Sequence, residues 1–534
     1  MPAAAHALNC RVHAEIVRTI SRIAMPVETE LKLLVDPQYV TRLRRHPLLR
    51  HGRRLAPQKL HSIYYDTPDL VLWRRGIALR LRRSGARWVQ TVKAGGSVVA
   101  GLHQRPEIET AVGGPSPDFA AIDDPALARR FSSRKLRARL EPVVTTEFTR
   151  SRYLLKPVEG VVIEASLDQG TIKSDGATEP ICELELEIKA GPAWHAYQAA
   201  LELLATVPLL AADRSKAERG FDLHRNIARK PYKARASPLT PNMTCHDAFQ
   251  ALIESNLTHF LANQHGMLES DDPEYLHQMR VALRRLRSAF AIFAPLLADD
   301  VLAPRVAETR RLLATLGRAR DWDVFAAETL PLLTARYADH PGIAALGRQT
   351  AQLRSHADRA ARRAVASRRG QHFILASGAW LLAGDWLTRL DTAQRTALLQ
   401  PVMPFAHTVL DHAHARMLKR GRHFGRLTPP KLHRLRIAAK KLRYATEFFA
   451  PLYDDRRVER FRAALAHLQD VLGGFNDAVT AARLVEQARR GLTSASAREA
   501  RGILLGWSVG IQHSGGRHLK LLWEKLRAAR PFWT

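Results

Sequence analysis

The apolar period of this 534-residue chain changes once, across Ala228–Thr244 (ARKPYKARASPLTPNMT), a basic stretch with three prolines and no period of its own. Before it lie short alternating runs: VETELKLL, GIALRLRR, EIETAV, GVVIEASLD and ICELELEIKA. After it, apolar residues recur at spacings of three and four. Period two sends successive side chains to opposite faces of a strand, whereas spacings of three and four line one side of a helix. No single element satisfies both patterns. The chain therefore predicts an α+β multidomain protein with a strand-rich unit, a linker and an all-α unit. The expected boundaries are an N-terminal extension at 1–24, the strand unit at 25–227, the linker at 228–244 and the helical unit at 245–534.

The strand runs carry their charges in register. In Val27–Leu33, Glu28, Glu30 and Lys32 share one face, while Val27, Thr29, Leu31 and Leu33 share the other. The same alternation places Arg80 with Arg82, Glu107 with Glu109, Arg150 with Arg152, Glu164 with Asp168, and Glu183 with Glu185 and Glu187. A solvated outer face explains any one of these runs. Taken together they say more, because Glu-Leu-Glu-Leu-Glu crowds like charges and destabilises a strand unless cations lie between them. A closed barrel holding both sets inside would bind a metal through its carboxylates and an oligophosphate through its basic groups.

Composition bounds the partners. Lys+Arg number 82 against 51 Asp+Glu, a formal charge of +31, with an excess of +11 in residues 1–230 and +20 in residues 231–534. Such an imbalance selects polyanions. The three cysteines, Cys10, Cys182 and Cys245, lie too far apart in sequence for a disulfide framework or a cysteine-rich zinc module. The longest apolar run, around Phe373–Ala383, is shorter than the roughly 20 residues that cross a bilayer. Residues 1–24 lack a continuous apolar signal core. The expectation is a cytoplasmic protein without membrane contact.

Glu28-Thr-Glu30-Leu-Lys32 is an ExExK pattern, which arises often by chance. In order after it stand YYDTPDLVLWRRGIALRLR (Tyr64–Arg82), WVQTVKAGG (Trp88–Gly96), GLHQRPEIE (Gly101–Glu109), ICELELEIK (Ile181–Lys189) and DRSKAERGF (Asp213–Phe221). With these, the segment from Met25 to about His224 resembles the CYTH family, the triphosphate tunnel metalloenzymes. The resemblance implies an eight-stranded antiparallel β tunnel with flanking helices, taking triphosphate-containing substrates with Mg²⁺ or Mn²⁺. Position by position, it implies Glu28 and Glu30 as metal ligands and Lys32 as a phosphate-facing lysine, together the candidate catalytic set. Arg80, Arg82 and Lys93 match residues that grip the triphosphate, and Glu109 matches an acidic tunnel residue. Arg150, or Arg152 on the same face, matches a later arginine. Asp168, Glu183 and Glu185 match further carboxylates near the metals, and Lys216 a lysine near the end of the unit. The family motif usually lies almost at the start, so Met25, opening MPVETELKL, is an expected alternative start.

The helical half contains an internal repeat. HQMRVALRRLR (277–287) aligns with HRLRIAAKKLR (433–443), and the same offset of 156 pairs Phe293 with Phe449, Gly317 with Gly473 and Asp321 with Asp477. The expected architecture is a duplicated helical bundle related by a pseudo-twofold. His277, Arg280, Arg284 and Arg287 fall on one stripe, with Leu276, Met279, Leu283, Leu286, Phe290 and Phe293 on an apolar stripe beside it. A basic stripe with the same histidine twice is more than a solvated face, because like charges at helical neighbours destabilise. The pattern resembles the CHAD domain, a conserved-histidine α-helical family, over roughly His246–Arg530. That resemblance implies inorganic polyphosphate in a basic channel between the repeats, contacted by His277, Arg280, Arg284, Arg287, His433, Arg436, Lys440 and Arg443. His407, Asp411 and His414 share a helix face but lack an evident fourth ligand, so a surface or capping role is expected for them.

The combined expectation is metal-dependent hydrolysis of inorganic triphosphate to pyrophosphate and phosphate, with polyphosphate held by the helical unit. Thiamine triphosphate hydrolysis and adenylate cyclisation are rivals within the same fold, and a non-catalytic polyphosphate-binding or targeting protein is the rival outside it. No Walker A sequence is present. A nucleic-acid partner would suit the charge, but no recognised reader motif accompanies it.

Overall fold

The computed structural model describes residues 27–226, 229–453, 455–488, 494–514 and 516–533. The expected extension at 1–24 and the alternative start at Met25 lie outside the described residues. The chain divides into two compact units, one ending at Arg229 and one beginning at Lys230.

In the first unit eight strands close a barrel. They are β1 (Val27–Val35), β2 (Gln58–Asp66), β3 (Ile77–Ser84), β4 (Arg87–Ala94), β5 (Leu102–Val112), β6 (Glu141–Leu155), β7 (Val162–Ser174) and β8 (Ala177–Ala190). All the pairings are antiparallel, and the order β1–β8–β7–β6–β2–β3–β4–β5 returns to β1. Closure is possible because β1 divides one of its edges. Val27–Leu31 pairs with β5 there, and Leu33–Val35 pairs with the short strand Leu209–Ala211. The β7–β8 hairpin turns on Asp175-Gly176, both at positive φ (46° and 77°), the two-residue geometry that matches strand twist.

Both faces of this barrel are buried, and the charged one faces inward. Glu30, Lys32, Arg80, Glu183 and Glu185 are buried, as are Leu31, Leu33, Leu79, Leu81, Leu184 and Leu186 on the alternate positions. The apolar outer face is covered by helices. Around α1 (Pro125–Arg130), Leu127 packs with Leu72, Ile77, Leu79 and Val92, while α2 (Trp194–Leu204) buries Tyr197, Ala200 and Leu203.

A third helix, α3 (Lys216–His224), enters one end of the barrel. Its Ala217 and Phe221 pack with Leu60, Phe148, Ile172 and Ile181, which share strand parity with the inward charges. A Cβ on Gly220 would lie 2.2 Å from Cγ1 of Val144, so this close approach requires glycine. The helix starts with a reciprocal capping box between Ser215 and Glu218, which fixes where Lys216 begins the first turn.

In the second unit the repeat is visible in the helix boundaries themselves. Helix α5 (Pro273–Phe293), a 3-10 turn at Ala294–Leu296 and α6 (Asp299–Val324) follow α4 (Cys245–Ala262). They recur as α7 (Val402–Arg420), α8 (Pro429–Phe449), a turn at Ala450–Leu452 and α9 (Asp455–Ala488). The two copies exchange backbone bonds where each begins: Cys245 N–H donates to Gln400 O (2.9 Å) and Val402 N–H to Met243 O (3.0 Å). The apolar stripe from Leu276 to Phe293 is buried throughout. Residues 230–240 have no regular secondary structure yet dock on this unit. Ser237 and Leu239 are buried, and Tyr232 exchanges two 2.9 Å bonds with the Asn263 side chain. No helix among the described residues is long and apolar enough to cross a membrane.

Candidate functional site

The middle of the barrel is a charged cavity. Glu28, Glu30 and Lys32 of β1, Arg80 and Arg82 of β3, Lys93 of β4, Arg150 of β6, Glu185 of β8 and Lys216 of α3 all line it. The alternation read from the sequence accounts for this convergence, since closure turns one parity of every strand inward. Cross-strand register then sets the neighbours. Lys32 stands opposite Glu185, and its Nζ lies 2.5 Å from Glu185 Oε1 and 2.6 Å from Glu30 Oε1. Lys93 pairs with Glu28 and, at 3.0 Å, with Glu107. Arg80 reaches Glu109 (3.2 Å) and Glu107 (3.3 Å), so Glu109 acts on the cavity through Arg80 without lining it.

Beneath the cavity lies a second layer. Arg150 grips Asp168 with two parallel bonds of 2.7 and 2.8 Å and also bonds Glu185. Lys216 bonds Asp168 (2.7 Å), Glu183 and Glu185 (3.0 Å), and Arg219 bonds Glu183 (2.9 Å). Burial alone would raise the Glu185 carboxyl, but Lys216, Lys32 and Arg150 hold it well below the usual carboxylate range. Burial likewise works against charge on Lys32, which Glu185 and Glu30 nevertheless keep well above an ordinary lysine. Arg152 is placed differently from Arg150: it grips Glu164 with two 2.9 Å bonds and does not line the cavity.

Arg82 stands apart from this pairing. Its Nε donates to Ser62 Oγ (3.2 Å), and no carboxylate partners it among the described residues. Burial, together with the neighbouring Arg80 and Arg150 charges, pushes its guanidinium down to about 10. A half-buried cation among cations is a place prepared for an anion.

The donor set suits a hard divalent cation. Carboxylate oxygens of Glu28, Glu30 and Glu185 face the cavity, and hard cations prefer such oxygens. Glu187 does not line the cavity but stands directly opposite Glu30: burial pushes its carboxyl up, and Glu28 and Glu30 add to this against the pull of Lys189. That crowding of like charge is what a bound cation would relieve. Asp168, Glu183 and Glu185 also bring oxygens within 4.8 Å of one another, but Arg150, Lys216 and Arg219 already neutralise them. These bonds hold the basic residues in place, and Glu185 also faces the cavity.

Sequence reasoning missed Glu187, Tyr64, His103, Arg105, Ser215 and Arg219. His103, Arg105, Glu107 and Glu109 share one parity of β5, so the alternation that drew attention to the two glutamates also marked the other two. His103 is buried, and burial with Lys32 nearby pushes its imidazole down to about 4, leaving it neutral. Arg105 bonds Glu218 (2.9 Å), tying β5 to the α3 cap. Arg219 and Ser215 lie on or beside a helix, where strand parity gives no signal.

The helical unit has its own charged cavity. His277, Arg280 and Arg284 of α5 face it together with Arg436 and Lys440 of α8, so two pairs of repeat partners meet. Asp321 and Asp477, also repeat partners, stand at its wall, and Arg320 joins the basic set without a repeated counterpart. Arg287 and His433 are exposed and do not line this cavity, and Arg443 faces a different one with Glu447 at 3.2 Å. Burial, reinforced by Arg284, Arg436 and Arg443, pushes Lys440 down to about 7. Arg280 falls to about 10 through burial and Arg284. Elsewhere Asp411 accepts a bond from the Trp533 indole (2.7 Å) and pairs with His407 (3.2 Å), while His414 packs edge-on to Phe461 and Trp533.

The comparisons follow the same division. The CYTH domain model matches residues 26–221 and the CHAD domain model residues 251–486. An inorganic triphosphatase of Haemophilus influenzae is 30% identical over 203 residues, spanning 36% of this chain and 54% of that protein. The chain thus spans about half the length of that curated relative. Among solved structures, the CHAD domain from the plant Ricinus communis is 31% identical with a TM-score of 0.49, covering 57% of this chain and 98% of that one. HpAC1 from Hippeastrum, described as revealing a dominant triphosphatase activity, is 20% identical with a TM-score of 0.29, covering 38% of this chain and 98% of that one.

Proposed function

Because the chain joins a CYTH domain at 26–221 to a CHAD domain at 251–486, we propose that the barrel hydrolyses inorganic triphosphate to pyrophosphate and phosphate and that the helical unit binds inorganic polyphosphate. The observation that carries the first half is Arg82, a half-buried guanidinium without a carboxylate among the described residues, in a cavity whose other cations are paired. Triphosphate supplies the missing negative charge. The name of the Haemophilus influenzae relative supports the same substrate.

Glu28 and Glu30, with Glu187 and Glu185 beside them, would hold Mg²⁺ or Mn²⁺. Held there, such a cation would supply Lewis-acid chemistry and a more acidic water. The chain's own residues do the rest. Arg82, Arg80 and Lys93 bind and orient the phosphate chain, and Lys32 and Arg150 neutralise charge as the anhydride bond breaks. Asp168 and Glu183 keep Arg150 and Lys216 aimed into the cavity. Apart from Tyr64, Ala78, His103, Ser215 and Ala217, every lining residue is charged. Such walls favour an inorganic substrate over thiamine triphosphate or a cyclase's nucleotide. In the helical unit, the basic cavity shared by Arg284, Arg436 and Lys440 supports polyphosphate binding. The test is hydrolysis of tripolyphosphate, ATP and thiamine triphosphate side by side with Mg²⁺ and with Mn²⁺. Tripolyphosphate turnover above the other two supports the reading. Preference for an organic triphosphate overturns the substrate, and no turnover with either metal overturns the enzyme.

A further inference from the structure

The helical unit holds a second basic cavity, of about 410 Å³, which shares only Val281 with the first among their lining residues. Three of its arginines come from the helices: Arg285 of α5, Arg443 of α8 and Arg462 of α9. The fourth, Arg235, comes from residues 230–244, the stretch joining the two units, and Ser237 of the same stretch completes the wall. One carboxylate, Glu447, lines the cavity with these four guanidiniums and serves Arg285 (3.1 Å) and Arg443 (3.2 Å); Arg462 also pairs with Glu459 (2.7 Å), which does not line the cavity.

Further observations bear on what this cavity takes. Ser237 is 6% exposed, and its hydroxyl has no hydrogen-bond partner among the described residues. A buried hydroxyl left in that state costs free energy unless something in the cavity satisfies it. Burial depresses Arg285 against the pull of Glu447 and Tyr444, and the smaller effects of Arg443 and Arg462 add to that depression. The chemistry of the walls narrows the anion. Each nearby tyrosine ring carries a guanidinium over one face, Arg235 over Tyr232 at 5.1 Å and Arg443 over Tyr444 at 5.2 Å, and Tyr444 is buried. Single-stranded nucleic acid needs such faces free for base stacking. Guanidinium forks and a hydroxyl suit bare phosphate oxygens.

We propose that this second cavity is an oligophosphate-binding site completed by the connecting segment, so that phosphate chains contact the stretch joining the two units. It stands on a different cavity from the one assigned to polyphosphate above and does not depend on hydrolysis in the barrel.

The test uses the full chain and long-chain inorganic polyphosphate. Hydrogen exchange is followed at residues 230–244 and at 273–290, and affinity is measured across a salt series, for the wild type and for R235A/R462A. Both substituted arginines are exposed, so the variant should fold, and its tripolyphosphate hydrolysis should match the wild type. Expected are protection of both segments in the wild type and loss of protection at 230–244 in the variant. Affinity should fall roughly tenfold for two charge-assisted contacts, and the salt dependence should flatten by roughly one to two in slope. R235K/R462K should keep part of the affinity. Protection confined to 273–290, or an unchanged affinity in R235A/R462A, overturns the proposal. So does protection at 230–244 that persists in the variant, or displacement of polyphosphate by an equal phosphate concentration of single-stranded oligonucleotide.

Discussion

Lys216 Nζ lies 2.7 Å from Oδ2 of Asp168, and through that contact a helix that follows the barrel in sequence becomes part of its inner wall. Gly220 makes the contact possible, because α3 could not lie so close to Val144 and Ile172 with a Cβ at that position. Gly220→Val is expected to overpack the barrel end at about 1–3 kcal/mol, which lowers Tm by roughly 5 °C for a unit of this size. Hydrolysis should fall with it, since Lys216 withdraws from three carboxylates. Calorimetry and initial rates check this. Wild-type values for both would mean that α3 does not hold the cavity's floor.

Glu30→Gln removes the charge that a hard cation requires while keeping the shape of the side chain. We expect kcat to fall at least about a hundredfold, the scale of losing one strong electrostatic stabiliser. Glu28→Gln should behave alike. Chelation by EDTA should abolish activity in the wild type, and Mg²⁺ or Mn²⁺ should restore it. Circular dichroism should show both variants folded. Full turnover in Glu30→Gln at limiting metal would remove Glu30 from the cation site.

Arg82→Ala should cost at least about tenfold in kcat/KM, or about 1.4 kcal/mol, since it deletes the unpaired guanidinium. Arg82→Lys should recover only part of this, because an ammonium lacks the planar fork. Removing a half-buried cation surrounded by cations should also leave the free protein no less stable, so Tm should hold or rise. A variant with unchanged kinetics would place the phosphate chain elsewhere.

The folded chain holds Lys440 near 7, so its charge changes across neutrality. Below that value it is a cation facing the cavity with Arg284 and Arg436, and above it the amine is neutral. Polyphosphate affinity should therefore fall as pH rises from about 6 to 8, and binding should take up protons near pH 7. His277 also faces the cavity, with burial and Arg320 lowering it below its ordinary value, so its contribution would appear at more acidic pH. Lys440→Arg should remove the dependence near pH 7 and keep binding. Titration calorimetry in two buffers of different ionisation enthalpy measures the proton uptake. A pH-independent affinity in the wild type would remove Lys440 from the ligand.

Much of the site was legible along the strands. Glu28, Glu30 and Lys32 could be grouped, as could Arg80 with Arg82, because a strand alternates its faces whatever it packs against. Glu187 was visible in the same run as Glu183 and Glu185, yet its place beside the cation donors depends on its register opposite Glu30. Arg150 and Arg152 could not be told apart, since parity is identical and only the positions of Asp168 and Glu164 separate them. In the helical unit the stripe from His277 to Arg287 was read as one set. The structure divides it, because a cavity between packed helices spans fewer turns than a stripe does.

What the sequence by itself determined is what local backbone geometry dictates: the switch of period at Ala228–Thr244, the separation of charged from apolar faces, and the repeat that returns every 156 residues in the same helix boundaries. What only the tertiary structure decided is which charges meet. Closure of β1 on both β5 and β8 chose the partners of Lys32 and left Arg82 without a carboxylate, and the entry of α3 supplied Lys216 and Arg219. Those outcomes depend on contacts between residues up to 180 positions apart, such as Lys32 with Ala212 and Glu28 with Lys93. Periodicity records the face a side chain takes on its own element. The free energy of a buried charge depends on what stands across the cavity from it, and the folded barrel alone sets that distance.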